Sequence, residues 1–328
     1  MPLETVSVIG GGAWGTALAQ AAAMAGRKVS LVVRSAEQAA AINATRINQA
    51  ALPGQALLPG VTATAGLASA DIVILAVPAQ ATRTLLSGLD PALLADRPVV
   101  LSAKGLETGT LARQSEILSD MVPDAVGYVL SGPSFAADVA AGRPTAVTLA
   151  GEDASDTSDL AVALAGPSFR PYAADDRIGV EIAGALKNVY ALACGAVEGA
   201  NLGASARAAL IARGYAEMAR VVTAMGGSAH TLTGLAGLGD LTLTCTSSQS
   251  RNYQFGMALG AGRRTADILA GGAKLAEGVA TAAVAAALTR SLGVDTPLID
   301  AVEAVVSGKA DIATVLAGLM SRPLRREH

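Results

Sequence analysis

Over its first half the chain alternates between short aliphatic, β-branched runs and longer alanine-rich stretches of helical period. Runs at Val6–Ile9, Val29–Val33, Ile72–Val77, Val99–Ser102, Tyr128–Leu130, Ala146–Leu149 and Phe169–Tyr172 predict strands. Several are apolar throughout, as strands buried on both faces are. Strand and helix alternating in this way predict a parallel, doubly wound α/β sheet. From about Ile178 the rhythm changes. Segments rich in Ala, Leu and Met at Glu181–Val197, Ser205–Met225, Asn252–Leu259, Val279–Leu292 and Pro297–Val306 show no strand pattern and predict an all-α second domain. The expected division is an α/β unit over 1–178 and a helical unit over 179–328, joined within Ala174–Gly179.

Composition supports this reading. A chain of 328 residues suits two domains, and 52% hydrophobic against 16% charged residues excludes extensive disorder. Net charge is −3, and basic residues cluster only in the closing "RPLRREH", so no nucleic-acid surface is expected. The opening "MPLETVSVIGGG" enters a strand pattern without the regions of a signal peptide. The longest uncharged stretch, Ile47–Ala70, is broken by Pro53, Gly54, Pro59, Gly60 and Gly66, so no membrane insertion is expected there. A cytoplasmic protein follows as the expectation. Cys194 and Cys245 are too few for a disulfide framework and are expected to be buried small apolar residues. His230 and His328 stand alone, and no metal is expected.

The first strand leads into "VSVIGGGAWGTALAQAAAMAG", with Gly10, Gly12 and Gly15 in G-x-G-x-x-G spacing between strand and helix. Such glycines allow a tight turn, close approach to a pyrophosphate and close helix–strand packing. The phosphates sit at the helix N-terminus, where free N–H groups and the dipole favour an anion. A Rossmann-type dinucleotide-binding domain is expected. The second strand ends in Arg34-Ser35, where an NAD-specific protein places a carboxylate for the ribose. That pair suits a 2′-phosphate, so NADPH/NADP is expected over NADH/NAD, with Glu37 as the competing feature. The other strand ends carry Pro78, Lys104 and Ser131 to Phe135, placing Lys104 and Ser134 on the cofactor's crevice.

Two motifs stand out in the helical half. "AGALKNVYALACG" holds one charge, Lys187, with no carboxylate a turn away to pair with it. Either its stem covers apolar surface while its ammonium reaches water, or it serves a ligand site. "GLAGLGDLTLTCTSSQSRN" gathers Asp240, Thr244, Ser250, Arg251 and Asn252. Ser250 is placed to cap the following helix, leaving Arg251 and Asn252 in its first turn, a favourable phosphate seat.

"GGGAWGTALA", "SAKGLE", "SGPSFAADVAAGRPTA", "GALKNVYALACG", "ARAALIARGYAEMARV" and "GLAGLGDLTLTCTSSQSRNYQFG" together resemble bacterial NAD(P)-dependent glycerol-3-phosphate dehydrogenases over nearly the whole chain. The resemblance implies reversible NAD(P)H-dependent reduction of dihydroxyacetone phosphate to sn-glycerol 3-phosphate, feeding glycerophospholipid synthesis. It implies Lys187 as proton donor and acceptor, Asp240 as a substrate contact that orients Lys187, and Thr244 as a member of that polar network. Ser250, Arg251 and Asn252 would hold substrate, with Lys104, Gly132 and Ser134 contacting it from the Rossmann side. Gly10, Gly12, Ala13, Trp14, Gly15, Arg34, Lys104, Ala136, Arg251, Leu275 and Glu277 would contact the cofactor. A small phosphorylated substrate is the implied partner, and a homodimer is possible. "NQAALPG" lacks the family's aromatic, Asp138 replaces a glutamate, and "EGANLGASAR" departs from the commoner loop. The alternatives are a related two-domain dehydrogenase of hydroxy or keto acids and a non-catalytic NADP-binding redox sensor.

Overall fold

The computed structural model describes residues 3–271 and 276–324. Its first part is a sheet of β1 (Thr5–Ile9), β2 (Lys28–Val32), β3 (Val61–Thr64), β4 (Ile72–Leu75), β5 (Pro98–Leu101), β6 (Val126–Ser131), β7 (Thr145–Ala150) and β8 (Phe169–Ala174). The spatial order is β3-β2-β1-β4-β5-β6-β7-β8. The chain starts mid-sheet, winds out to β3 and crosses back beside β1, so the β1/β4 junction is the switch point of a doubly wound sheet. Helices α1 (Ala13–Met24), α2 (Ala36–Thr45), α3 (Thr82–Ser87), α4 (Gln114–Met121), α5 (Ala136–Ala140) and α6 (Ala154–Leu164) connect these strands.

Alternate strand residues serve opposite faces, as period two requires. Val6, Val8, Leu31, Ile72 and Ile74 join one core with α1. Ile9, Val73, Leu75, Val99 and Leu101 join the other, with Ile117 of α4.

Two features differ from the sequence reading. β3 had no counterpart there, because "VTAT" is short and lies in an uncharged stretch punctuated by Pro and Gly. Its pairing with β2, from Val29↔Val61 to Val32↔Thr64, makes it a strand. The sheet is also not wholly parallel. β6 and β7 run antiparallel, with Leu130 opposite Leu149, while every other pair is parallel. An apolar run shows burial on both faces but carries no sign of direction.

The second part comprises α7 (Arg177–Gly199), α8 (Ala204–Ala224), α9 (Asp240–Thr246), α10 (Arg251–Gly260), α11 (Thr265–Ala270), α12 (Glu277–Ser291), α13 (Pro297–Val306) and α14 (Ile312–Met320). α7 begins where the Asp176 carboxylate accepts from the Gly179 N–H. It is the one described helix long and apolar enough to cross a membrane, yet 89% of the relevant window is buried inside the protein. It is therefore the core helix of this half, with Ile182, Leu186, Val189, Tyr190 and Leu192 in the apolar cluster. A Cβ on Gly195 would lie 2.0 Å from the Tyr253 carbonyl oxygen, so glycine there lets α10 cross against α7. Cys194 and Cys245 are buried and free. We place the division between two domains in the link from Ala174 to Arg177.

Candidate active site

β1, β4 and β5 end in register, with Ile9 beside Leu75 and Leu75 beside Leu101. The turns beyond these ends open on a cavity of about 650 Å³, whose walls include Gly12, Trp14, Pro78, Lys104, Ser134 and Ala136. Two glycines behind this wall have no substitute. Gly10 has φ +123° and a Cβ there would sit 2.5 Å from the Ala76 carbonyl oxygen; one on Gly15 would sit 1.9 Å from that of Gly10. Gly12 precedes α1, offers it no side-chain cap, and a Cβ there would meet nothing within 4 Å. The helix N-terminus thus presents uncapped N–H groups beside open space, and these residues fit a dinucleotide pyrophosphate. Ala13 and Trp14, the first residues of α1, line the same cavity.

The opposite wall comes from the helical half. Lys187, at mid-α7, donates from Nζ to Asp240 Oδ1 and to Thr244 Oγ1, the latter at 2.8 Å. Asp240 Oδ2 accepts from Lys104 Nζ at 2.7 Å, and that ammonium also donates to the Gly132 carbonyl oxygen at 3.0 Å. Two lysines from different halves of the chain therefore share one carboxylate. Asp240 has no exposed side-chain surface and the Lys187 side chain is 8% exposed. The reading of Lys187 as a lysine stretching to water is thereby removed.

The electrostatics follow from burial. Burial lowers the Lys187 value to about 8; Lys104 pushes the same way, and Asp240 opposes both. Burial alone would raise Asp240, but the Lys104 and Lys187 charges outweigh it and hold the carboxyl below its usual range. Lys104, Lys187 and Arg251 stand against the two carboxyls of Asp240 and Glu277, a surplus of cationic groups that suits an anionic ligand. Lys104 Nζ also stands 5.9 Å from the Trp14 ring centroid, within cation–π range.

Ser250 caps α10, its hydroxyl accepting from the Tyr253 N–H at 3.2 Å, and Arg251 is exposed in the first turn. Asn252 is buried, its amide bonded to Asn188 and to the Gly278 N–H. Glu277 starts α12 on the cavity wall; burial raises its carboxyl, with Arg251, Lys104 and Lys187 opposing. Ser134 lines the cavity and donates to the Gly132 carbonyl oxygen at 3.0 Å. Gly132 and Asp240 lie behind the wall as anchors for the side chains that reach it. Arg34 is exposed at the end of β2, apart from the wall. Next to it Ser35 caps α2, and a bond from Ser35 lowers the Glu37 carboxyl. Leu275 lies outside the described residues.

The halves match two family models described as the N-terminus and C-terminus of NAD-dependent glycerol-3-phosphate dehydrogenase, over residues 5–157 and 176–317. The chain belongs to the NAD-dependent glycerol-3-phosphate dehydrogenase family. It is 49% identical over 330 residues to a glycerol-3-phosphate dehydrogenase [NAD(P)+] of Caulobacter vibrioides, covering all of both chains. It is 52% identical over 332 residues to one of Methylobacterium radiotolerans, covering 100% of this chain and 99% of the relative. A crystal structure of glycerol-3-phosphate dehydrogenase from Coxiella burnetii superposes with TM-score 0.91 at 36% identity, covering 97% of this chain and 99% of that one.

Four polar residues of this dehydrogenase carried no functional expectation from the sequence. Ser102, Asn188 and Gln249 lie on the cavity wall. Asn48 is buried and donates to the Gly11 carbonyl oxygen and Thr16 Oγ1, both at 2.9 Å, tying the Ala50–Leu52 wall to the glycine turn. A signal existed for Asn188, since a second polar side chain directly follows Lys187 in an apolar helix. Asn48 opens the stretch "NQAALPG", but its partners are distant in sequence.

Proposed function

We propose that Lys187 is the proton donor and acceptor in the reversible NAD(P)H-dependent reduction of dihydroxyacetone phosphate to sn-glycerol 3-phosphate. One observation carries this: an ammonium buried on the cavity wall, held by Asp240 and Thr244, with its pKa brought to about 8. A group of that pKa can both give and accept a proton near neutrality. The bound nicotinamide supplies the hydride. The ketone lies with its oxygen toward Lys187, which protonates that oxygen as the carbon is reduced and removes the proton in the reverse direction. Asp240 and Thr244 aim the ammonium, and Lys104 adds positive charge beside the developing alkoxide. Arg251, with Ser250 and Asn252 at the start of α10, holds the phosphate and so orients the carbonyl. Ser134 contacts substrate from the sheet side.

On the cofactor, Gly12, Ala13 and Trp14 take the pyrophosphate end, with Ala136, Lys104, Arg251 and Glu277 around the rest. Arg34 and Ser35 favour the 2′-phosphate of NADPH. The product feeds glycerophospholipid synthesis in the cytoplasm. A homodimer belongs to the same proposal, supported by α14, an apolar helix that leaves Leu316 and Met320 exposed.

The test is NADPH oxidation with dihydroxyacetone phosphate, unphosphorylated dihydroxyacetone and a 2-keto acid. The phosphorylated ketone should be used best by far; faster turnover of the keto acid contradicts the proposal.

A further inference from the structure

Helix α7 belongs to both halves of the chain at once. Arg177, its first residue, donates from Nη1 to the Gly127 carbonyl oxygen of β6 at 2.9 Å. Val180 joins the apolar cluster of the sheet with Ile117 and Leu118 of α4, whereas Ile182 and Leu186 lie in the helical core. Between them stands Glu181, a buried carboxylate on the seam. Its Oε1 accepts from the Ser115 N–H at 2.9 Å. Its Oε2 accepts from Ser115 Oγ at 2.5 Å and from Arg113 Nη1 at 3.0 Å. All three donors come from the start of α4, on the sheet side.

The same start of α4 also holds the turn that carries Lys104. Gln114, between Arg113 and Ser115, donates from Nε2 to the Gly105 carbonyl oxygen at 3.0 Å. Lys104 is the residue before Gly105. Three consecutive residues therefore grip both lysine carriers: Gln114 the turn of Lys104, Arg113 and Ser115 the helix of Lys187. Lys187 lies six residues after Glu181, about 9 Å along a helix. Arg113, Gln114, Ser115 and Glu181 all lie off the cavity wall. A buried carboxylate gives up its hydration, so such a pair is weak grounds for stability. Its three directed, charge-assisted bonds do supply a fixed position.

We propose that Glu181 is a positioning residue that locks α7 onto the start of α4 and so fixes where Lys187 stands relative to the cofactor on the sheet. The inference rests on Lys187 moving the proton. Hydride and proton go to the two atoms of one carbonyl, the hydride from the sheet side and the proton from α7. A helix free to slide or turn on the sheet still binds both ligands but aligns them less often. The reach of the Glu181 side chain then matters more than its charge. Aspartate keeps the charge and is one methylene short. Glutamine keeps the length: its oxygen can accept from the Ser115 N–H and its NH2 can donate to Ser115 Oγ.

The experiment measures kcat and KM for dihydroxyacetone phosphate in wild type, Glu181→Ala, Glu181→Asp and Glu181→Gln, with Lys187→Met alongside. NADPH affinity and the number of NADPH sites per chain are taken on the same samples. Glu181→Ala and Glu181→Asp should each lose about a hundredfold in kcat, the scale of a reactant misplaced by about 1 Å. KM, NADPH affinity and site number should stay near wild type, and Glu181→Gln should keep most of the turnover. Glu181→Asp stands in if Glu181→Ala does not fold. Turnover kept by Glu181→Asp, a loss in Glu181→Gln equal to that in Glu181→Asp, or a loss matched by missing NADPH sites overturns the proposal. If Lys187→Met turns over near wild type, the proton reading has failed. If Lys187→Met loses turnover and the Glu181 variants do not, only the positioning role has failed.

Discussion

In the proposed role of acid and base, Lys187 carries its proton for ketone reduction and lacks it for alcohol oxidation. With a value of about 8, the reduction rate should fall as pH rises through that value, and the oxidation rate should fall as pH drops below it. Profiles of kcat/KM in the two directions should therefore have opposed limbs near pH 8; a shared limb would exclude one titrating lysine in both roles. Arg251 is tested by Arg251→Lys, which keeps the charge and loses the planar pair of donors. Apparent affinity for dihydroxyacetone phosphate should drop sharply, with unphosphorylated dihydroxyacetone much less affected. Arg34→Asp exchanges a cation for a ribose acceptor that repels a 2′-phosphate. Steady-state kinetics should show preference moving from NADPH toward NADH; an unmoved preference removes Arg34 from cofactor choice. Lys187 and Asp240 stand out because they interrupt an apolar and a glycine-rich pattern, Arg251 because it follows a capping serine, and Glu277 only through the family resemblance. The buried amides Asn48, Asn188 and Asn252 gain their meaning from partners far along the chain, as in the Asn188–Lys104 bond.

Helix α13 shows an element held from outside itself. Its preceding residue, Thr296, supplies no side-chain cap; instead Glu217 of α8 accepts from the Leu298 N–H at 2.7 Å and the Ile299 N–H at 3.3 Å. Burial raises the Glu217 carboxyl from an ordinary 4.5 to about 7. The folded chain then holds this proton more tightly than the unfolded chain does. The stabilisation is complete below about pH 4.5 and is lost as pH rises through 7. That interval amounts to roughly 3 kcal/mol. Glu217→Gln removes the titration, so its melting temperature should change less than wild type between pH 5 and pH 8. Parallel pH dependence in the two proteins would show that Glu217 does not titrate there. Helix α7 was legible because its apolar pattern runs long, although Asp176 starts it earlier than the pattern does. β3 and the antiparallel β6–β7 pair were not, since both depend on which strand lies alongside.

At the level of the whole molecule, the two halves meet on one carboxylate, with Lys104 from the sheet and Lys187 from α7 both bonded to Asp240. The change of rhythm near Ile178 made two units legible, and the glycine turn with the lysine and arginine motifs made the crevice legible. The family resemblance set Asp240 against Lys187, but the bond from Lys104 to Asp240 was not visible, because those two residues are joined only by folding. In the mechanism proposed above, Lys187 moves the proton while the rest of the site binds and orients. The most direct measurement is turnover of dihydroxyacetone phosphate by Lys187→Met beside wild type, with NADPH affinity taken on the same samples. Methionine keeps the apolar stem and has no proton to give. Turnover should fall by at least about a hundredfold, the usual scale for lost general acid–base catalysis, with NADPH affinity nearly unchanged. Turnover near wild type in a variant that still binds NADPH would show that Lys187 does not move the proton.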